Sequence, residues 1–148
     1  PGRADSGPAP PGLSYPAQPA RRRRCASLTM RLYVALAHFE GCPFDFLNSP
    51  TALRGALEAA VAAGPFTLLE MVVVPFSPQG ITACAVVGES HVALHSWPES
   101  GRLFVDVASC STLESVRRAV AAIGDALPEG RLATLDERIV DPGGARAP

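Results

Sequence analysis

The residues that could carry chemistry are concentrated between positions 76 and 110 of the 148-residue chain. Ser90 follows Glu89 and precedes His91, and His95 and Cys110 lie farther along. Serine and cysteine are the usual nucleophiles of covalent catalysis, and histidine is the usual acid or base beside them. The segment therefore predicts a site for nucleophilic or acid–base chemistry.

Two familiar kinds of site fit these residues poorly. The spacing of His91 and His95 would suit zinc on a helix, but Val92 stands where the metalloprotease motif has Glu. Ser90 or Cys110 could be a hydrolase nucleophile with His95 as base, yet Ser90 has no GxSxG elbow around it. We therefore expect neither a metal centre nor a conventional hydrolase.

The pair Glu89–Ser90 suits a third chemistry. A serine in a tight, strained connection between strands can attack the carbonyl of the preceding residue and turn the amide into an ester. Removal of the Ser90 α-proton would then expel Glu89 as a carboxylate, and hydrolysis would leave a pyruvoyl group.

Composition excludes several function classes. All 13 basic residues are Arg, and the absence of Lys excludes both a Schiff-base lysine for pyridoxal phosphate and a P-loop lysine. Residues 30–148 carry eight Arg against thirteen acids, a local charge of −5, which argues against nucleic acid or an anionic membrane as partner. No apolar run reaches the roughly 20 residues of a membrane span. The four Cys contain no CxxC pair, so a reducing, cytoplasmic location is expected.

Hydrophobic periodicity predicts an α+β two-layer sandwich, an antiparallel sheet with helices on one face. Ser49 and Pro50 are typical of a helix start, and that helix should end at Gly64. Ser111 and Glu114 form a capping-box pattern for a second helix, which runs to about Leu127. Strands are predicted at 32–39, 66–76, 81–87, 91–97, 102–109 and 131–140.

The chain divides into one domain and two terminal segments. Residues 1–29 are rich in Pro and Arg and predict a disordered extension; the alternatives are translated upstream sequence and an organelle-targeting segment. Residues 30–140 form the predicted domain, and residues 141–148 a flexible tail.

The stretch from Glu89 through Glu99, ESHVALHSWPE, resembles the processing-site motif of the prokaryotic S-adenosylmethionine decarboxylases, which are pyruvoyl enzymes of polyamine synthesis. Cys110, twenty residues after Ser90, falls where that family has its catalytic Cys. The resemblance extends upstream through Phe76 to Gly80 and covers about residues 31–127.

The resemblance implies roles in self-processing and turnover. Cleavage would fall between Glu89 and Ser90, and Ser90 would become the covalent pyruvoyl cofactor. His95 would be the acid and base of processing, supported by Thr82, and Cys110 would return a proton to the substrate's α-carbon.

For the substrate, the resemblance implies that Phe76 stacks on the adenine and that Glu99 accepts hydrogen bonds from the ribose hydroxyls. Phe39 would supply the other half of the adenine sandwich, as an aromatic does in the eukaryotic enzymes. We expect His91 to be structural, with its ring bonded to backbone, and Trp97 to be a packing residue.

The expected function is decarboxylation of S-adenosylmethionine to the aminopropyl donor for spermidine, by a homodimer of cleaved α and β chain pairs with four layers. Ala93, Ser96, Ser111 and His38 depart from the family's usual residues and leave the substrate open. The alternatives are a pyruvoyl ornithine or arginine decarboxylase and a non-catalytic α+β binding module.

Overall fold

The computed structural model describes residues 31–141, so the predicted N-terminal extension and all but the first residue of the tail lie outside the described part. That part forms strands and helices with the following bounds: β1 Leu32–Glu40, α1 Phe44–Leu47, α2 Pro50–Ala63, β2 Leu68–Pro75, β3 Ile81–Val87, β4 Ser90–Trp97, β5 Arg102–Ser109, α3 Leu113–Ala126 and β6 Arg131–Val140. A short 3₁₀ turn, Pro98–Ser100, joins β4 to β5.

The six strands form one antiparallel sheet in the order β2-β3-β4-β5-β1-β6. The helices α2 and α3 pack together and cover one face of it. This arrangement confirms the predicted α+β class and the antiparallel sheet with helices on one face. None of the described helices is long and apolar enough to cross a membrane.

The helix α2 begins and ends where the sequence predicts. The Ser49 side chain accepts a hydrogen bond from the Ala52 amide at 3.2 Å, and Pro50 occupies the first helical position. The Gly64 amide closes the last turn on the Ala60 carbonyl. A cap that satisfies an otherwise unpaired amide is worth about 1 kcal/mol.

One helix start needs correction, and one short helix was missed. The cap of α3 is Thr112, whose hydroxyl accepts from the Ser115 amide at 3.0 Å; Ser111 is bonded to Ser109 instead. The four-residue helix α1 was not predicted, because a single turn after Pro43 carries no hydrophobic period.

The two faces of the sheet differ in what covers them. Val92 and Leu94 on β4 lie on the helix side with Leu103, Val105 and Val107 on β5, as the alternation of β5 predicts. The opposite face, which we call the open face, carries the intervening residues of each strand. Its large exposed apolar side chains are Leu36, Val72, Val74, Val86, Trp97, Phe104 and Val140.

Candidate active site

The connection between β3 and β4 is a two-residue turn at Gly88 and Glu89, closed by pairing of Val87 with Ser90. Ser90 has a φ of 145°, a region that residues with a side chain rarely adopt. Such a backbone costs on the order of 1–3 kcal/mol and persists only where the surroundings impose it. The predicted scissile bond is therefore held in a strained hairpin.

Four hydrogen bonds impose this conformation. The Glu89 carboxylate accepts from the amide of Thr67 at 2.9 Å and from its hydroxyl at 3.1 Å. The Gly88 amide donates to the Thr67 carbonyl at 2.8 Å. The amide of Cys110 donates to the Glu89 carbonyl at 3.0 Å, which polarises the carbonyl that Ser90 would attack.

The Ser90 hydroxyl is the first of three side-chain groups that contact one another in series. Ser90 Oγ lies 3.2 Å from Nδ1 of His91, and Nε2 of His91 lies 3.3 Å from Oδ2 of Asp106 on β5. The prediction that the His91 ring bonds to backbone is therefore wrong, because both ring nitrogens contact side chains. The order hydroxyl, imidazole, carboxylate is that of the serine hydrolase triad.

Thr82 and His95 lie side by side, as the resemblance implies. They are cross-strand partners on β3 and β4, and Thr82 Oγ1 lies 3.0 Å from Nδ1 of His95. Both side chains project from the open face.

A pocket of about 290 Å³ adjoins this pair. Its lining residues come from the β2–β3 turn, the strands β3 and β4 and the 3₁₀ turn: Phe76, Gln79, Gly80, Ile81, Thr82, His95, Ser96, Trp97 and Glu99. Gln79 Nε2 donates to the Glu99 carboxylate at 3.1 Å. Trp97 packs edge-on against Phe104, with 6.3 Å between ring centroids, but it is also 51% exposed and lines the pocket.

The predicted site residues form two groups rather than one. The cleavage cluster is Glu89, Ser90 and Cys110; the pocket cluster is Phe76, Thr82, His95 and Glu99. Ser90 and His95 are five residues apart on one strand, which corresponds to about 16 Å at 3.3 Å per residue. A hydrogen bond between them within one protomer is therefore excluded by the strand itself.

Phe39 belongs to neither cluster. Its side chain is only 2% exposed and packs on the helix side of the sheet, where a β-carbon on Gly124 of α3 would come within 3.1 Å of the ring. Phe39 pairs with Leu103 and follows Ala35 and Ala37 on the core-facing parity of β1. The expectation that it stacks on a ligand is incorrect, because the sheet separates it from the pocket.

Three of the four residues that depart from the family pattern make defined side-chain contacts. Ser96 is buried, and its hydroxyl accepts from the Ile81 amide at 2.8 Å and donates to the Ile81 carbonyl at 3.3 Å. Ser111 bonds to the Ser109 hydroxyl through its own hydroxyl and its amide. The His38 ring stacks on Phe104, with 4.6 Å between centroids.

Burial raises the pKa values of two cysteine thiols that have no role in the proposed chemistry. Desolvation raises the pKa of Cys42, and desolvation followed by the negative charge of Asp106 raises the pKa of Cys84. Both groups therefore stay protonated at neutral pH. Within residues 31–141, no group of three or more His, Cys, Asp or Glu side chains is arranged to hold a metal ion.

Sequence reasoning missed Thr67 and Asp106. Thr67 carries no motif and reaches Glu89 across 22 residues of sequence. Asp106 could have been placed on the open face with Phe104 from the alternation of β5, but its position opposite Ala93 depends on the strand register, which the sequence does not give.

Comparison with known proteins places the chain in a family. The family model for S-adenosylmethionine decarboxylase matches residues 34–136. The chain is 37% identical over 81 residues to the S-adenosylmethionine decarboxylase proenzyme of Parasynechococcus marenigrum, which covers 55% of this chain and 63% of that protein. It is 33% identical over 95 residues to the proenzyme of Methanococcus aeolicus, covering 64% of this chain and 81% of that protein.

The fold is also similar to that of a solved structure from this family. The crystal structure of the adenosylmethionine decarboxylase from Aquifex aeolicus superposes with a TM-score of 0.65 at 28% identity, covering 78% of this chain and 92% of that one. The chain thus spans just under two thirds of the Parasynechococcus protein but most of the Aquifex structure. With a family model matched over most of its described length, this chain belongs to the S-adenosylmethionine decarboxylase family.

Proposed function

We propose that the chain is a proenzyme that cleaves itself between Glu89 and Ser90 and then decarboxylates S-adenosylmethionine. The observation that carries the proposal is the strained Ser90, φ 145°, directly after a carbonyl that already accepts a hydrogen bond from the Cys110 amide. The names of the relatives, proenzymes of S-adenosylmethionine decarboxylase, support both the cleavage and the substrate.

The first step is attack of Ser90 Oγ on the Glu89 carbonyl carbon, which gives an ester as the bond from that carbon to the Ser90 nitrogen breaks and the nitrogen becomes a free amine. The carbonyl oxygen gains negative charge as the new C–O bond forms, and the Cys110 amide, 3.0 Å away, stabilises that charge. Removing a donor of this kind in other enzymes costs about 10²–10³ in rate. The Glu89 side-chain carboxylate accepts hydrogen bonds from the amide and hydroxyl of Thr67, which restrains the residue that carries this carbonyl.

The second step removes the Ser90 α-proton and breaks the Cβ–Oγ bond, so that Glu89 leaves as a carboxylate. The resulting dehydroalanine tautomerises to an imine, and water replaces the imine nitrogen, which departs as ammonia. Residue 90 is then the pyruvoyl group at the amino terminus of the α chain.

The surroundings of Ser90 fit such a group. Residue 90 stays at the start of β4, where pairing with β3 and β5 fixes it after cleavage. Cys110 comes directly after Ser109, the residue of β5 that pairs with Ser90. A pyruvoyl group provides an electron sink for decarboxylation in a chain without lysine. Cys110 Sγ delivers the proton to the substrate's α-carbon, which requires a reduced thiol and supports a cytoplasmic location.

The pocket cluster suits the nucleoside part of the substrate. Phe76 is 55% exposed and offers a ring face to adenine, and the Glu99 carboxylate is an acceptor for the ribose hydroxyls. The volume, about 290 Å³, lies near the lower end for small-molecule sites, which favours completion of the site by a second surface.

A second copy of the chain supplies that surface. The two clusters lie on one protomer about 16 Å apart along β4, and the open face exposes seven large apolar side chains distributed over the six strands. Face-to-face packing of two such sheets about a two-fold axis buries this face and brings the pocket cluster of each protomer to the cleavage cluster of its partner. This is the four-layer homodimer, with Thr82 and His95 acting as acid and base on the partner subunit's serine.

The denatured intact mass of freshly purified protein tests the proposal. We expect two chains divided between Glu89 and Ser90, the second lighter by one ammonia than its serine form. A Ser90→Ala variant should stay a single chain and release no carbon dioxide, whereas Ser100→Ala, at an exposed serine on the 3₁₀ turn, should cleave normally. A wild-type protein that stays at full mass would refute the proposal and favour the binding module.

The substrate is tested on cleaved protein. Release of labelled carbon dioxide from S-adenosylmethionine, ornithine and arginine should favour S-adenosylmethionine. Preference for either amino acid would keep the cleavage chemistry and refute the assignment of the pocket. A Cys110→Ala variant should still cleave at least partly and lose most turnover.

A further inference from the structure

We propose that His91, oriented by Asp106, is the base that takes the proton from Ser90 Oγ in the first step of self-cleavage. The inference rests on the proposed function and adds a residue of the same protomer to it. No motif pointed to this role, because the sequence predicts a structural His91.

Distance is the first argument. His95 lies about 16 Å along β4 from Ser90, whereas His91 Nδ1 lies 3.2 Å from Ser90 Oγ. A general base has to lie within about 2.6–3.2 Å of the atom whose proton it takes. Within one protomer, His91 meets that condition and His95 does not.

The tautomer of His91 is the second argument. An ionised Asp106 carboxylate can only accept, so the hydrogen on the ring must sit on Nε2, 3.3 Å from Oδ2. Nδ1 then carries a lone pair, and that lone pair faces the Ser90 hydroxyl. Asp106 therefore sets the ring in the form that can accept a proton and stabilises the imidazolium that results.

The proton balance of the step is closed. As the bond from Oγ to the Glu89 carbonyl carbon forms, the Oγ proton moves to Nδ1 of His91. As the carbon–nitrogen bond breaks, the same proton passes to the departing Ser90 nitrogen. The ester forms with no net proton change, and no other reactant is needed.

The assignment divides the work between the two histidines. His91 serves the acyl shift within its own protomer, while His95 of the partner subunit is left for removal of the α-proton in the second step. Acyl shift and elimination can therefore be blocked separately.

The test compares the cleavage rates of full-length precursors made in a cell-free system. His91→Gln should cleave at least about 100-fold more slowly, the usual contribution of a general base, and Asp106→Asn at least about tenfold more slowly. Asp136→Asn is the matched control, since Asp136 lies in the same cross-strand row of the open face, beyond Leu36. It should cleave at the wild-type rate.

Hydroxylamine, which cuts esters but not ordinary peptide bonds, identifies the blocked step. The His91→Gln precursor should resist it, because the ester is not formed. Cleavage of His91→Gln at the wild-type rate, or accumulation of an ester in it, would overturn the inference. If the wild-type chain itself does not cleave, it is the proposed function that fails.

A second measurement does not depend on how well His91→Gln folds. In the full-length Ser90→Ala precursor, nitrogen NMR of the neutral His91 ring should show hydrogen on Nε2. Hydrogen on Nδ1 would overturn the inference, because the ring could not then accept the Ser90 proton. If His91→Gln lacks a cooperative thermal transition, the Asp106→Asn rate and this tautomer decide the question.

Discussion

Complementation between two inactive chains tests whether the site is shared between protomers. The first chain carries His95→Gln and keeps its Ser90; the second carries Ser90→Ala and keeps its His95. Because about 16 Å separates the two residues along β4, a chain's own His95 cannot serve its own Ser90. Each chain alone should therefore fail to cleave, and only a mixed dimer contains a complete site.

The expected yield follows from the symmetry. With equal amounts and random pairing, about half of the dimers are mixed, and each mixed dimer has one complete site of two. About half of the His95→Gln chains should therefore be cut. Co-expression with different tags and intact mass of the denatured mixture measure this fraction directly.

The control replaces His95→Gln with His38→Gln, which changes another open-face histidine, stacked on Phe104 and outside both clusters. That chain should cleave without help. Absence of cut His95→Gln chains from a mixture that contains mixed dimers would refute the shared site. Full cleavage of His95→Gln on its own would refute the need for the partner's histidine.

Three further predictions concern binding and stability. Phe76→Ala should raise KM for S-adenosylmethionine about tenfold with little loss of thermal stability, whereas Phe39→Ala should lower the free energy of unfolding by about 3–5 kcal/mol, measured by denaturant titration. Ser96→Ala should lower that free energy by about 1–3 kcal/mol at constant m-value, because it leaves a buried backbone amide unsatisfied; an unchanged midpoint would contradict this. The Arg117 guanidinium lowers the pKa of Glu137, so the pair should add stability above the usual Glu pKa and lose it as pH falls through the folded-state pKa. The difference in unfolding free energy between wild type and Arg117→Gln should shrink over that range, and a constant difference would refute the assignment.

Much of the fold is readable from the sequence, because local signals and tertiary structure agree. The Ser49–Pro50 start and Gly64 end of α2 are set by capping chemistry within the segment itself. The alternation from Arg102 to Ser109 fixes which side chains of β5 face the helices. The helix α3 begins one residue later than predicted, since Ser111 and Thr112 are equally good caps by type and only the bond of Ser111 to Ser109 decides between them.

The site was less readable, for a geometric reason. A motif such as ESHVALHSWPE is continuous in sequence, but on a strand it extends over tens of ångströms and alternates between two faces. The resemblance pointed to Ser90 and His95 without showing that one protomer keeps them apart along β4. For Phe39, the alternate positions Leu32, Val34 and Leu36 are just as apolar, so the alternation of β1 did not show which face is the core.

If the chain cuts itself as proposed, the strand order has a consequence for the two products. Cleavage after Glu89 leaves β1, β2 and β3 in the first chain and β4, β5 and β6 in the second. Across the sheet, β2 and β3 of the first chain are followed by β4 and β5 of the second, then by β1 of the first and β6 of the second. The two products are interlaced: β1 of one chain is inserted between β5 and β6 of the other, and three ladders join them. These ladders would hold the two products together without a covalent link. After unfolding, however, the products would have to associate again, and that step carries the entropic cost of joining two molecules. If the proposed cleavage occurs, recovery of one protomer from its two unfolded products should depend on concentration, because that recovery includes an association step that the uncut chain does not need.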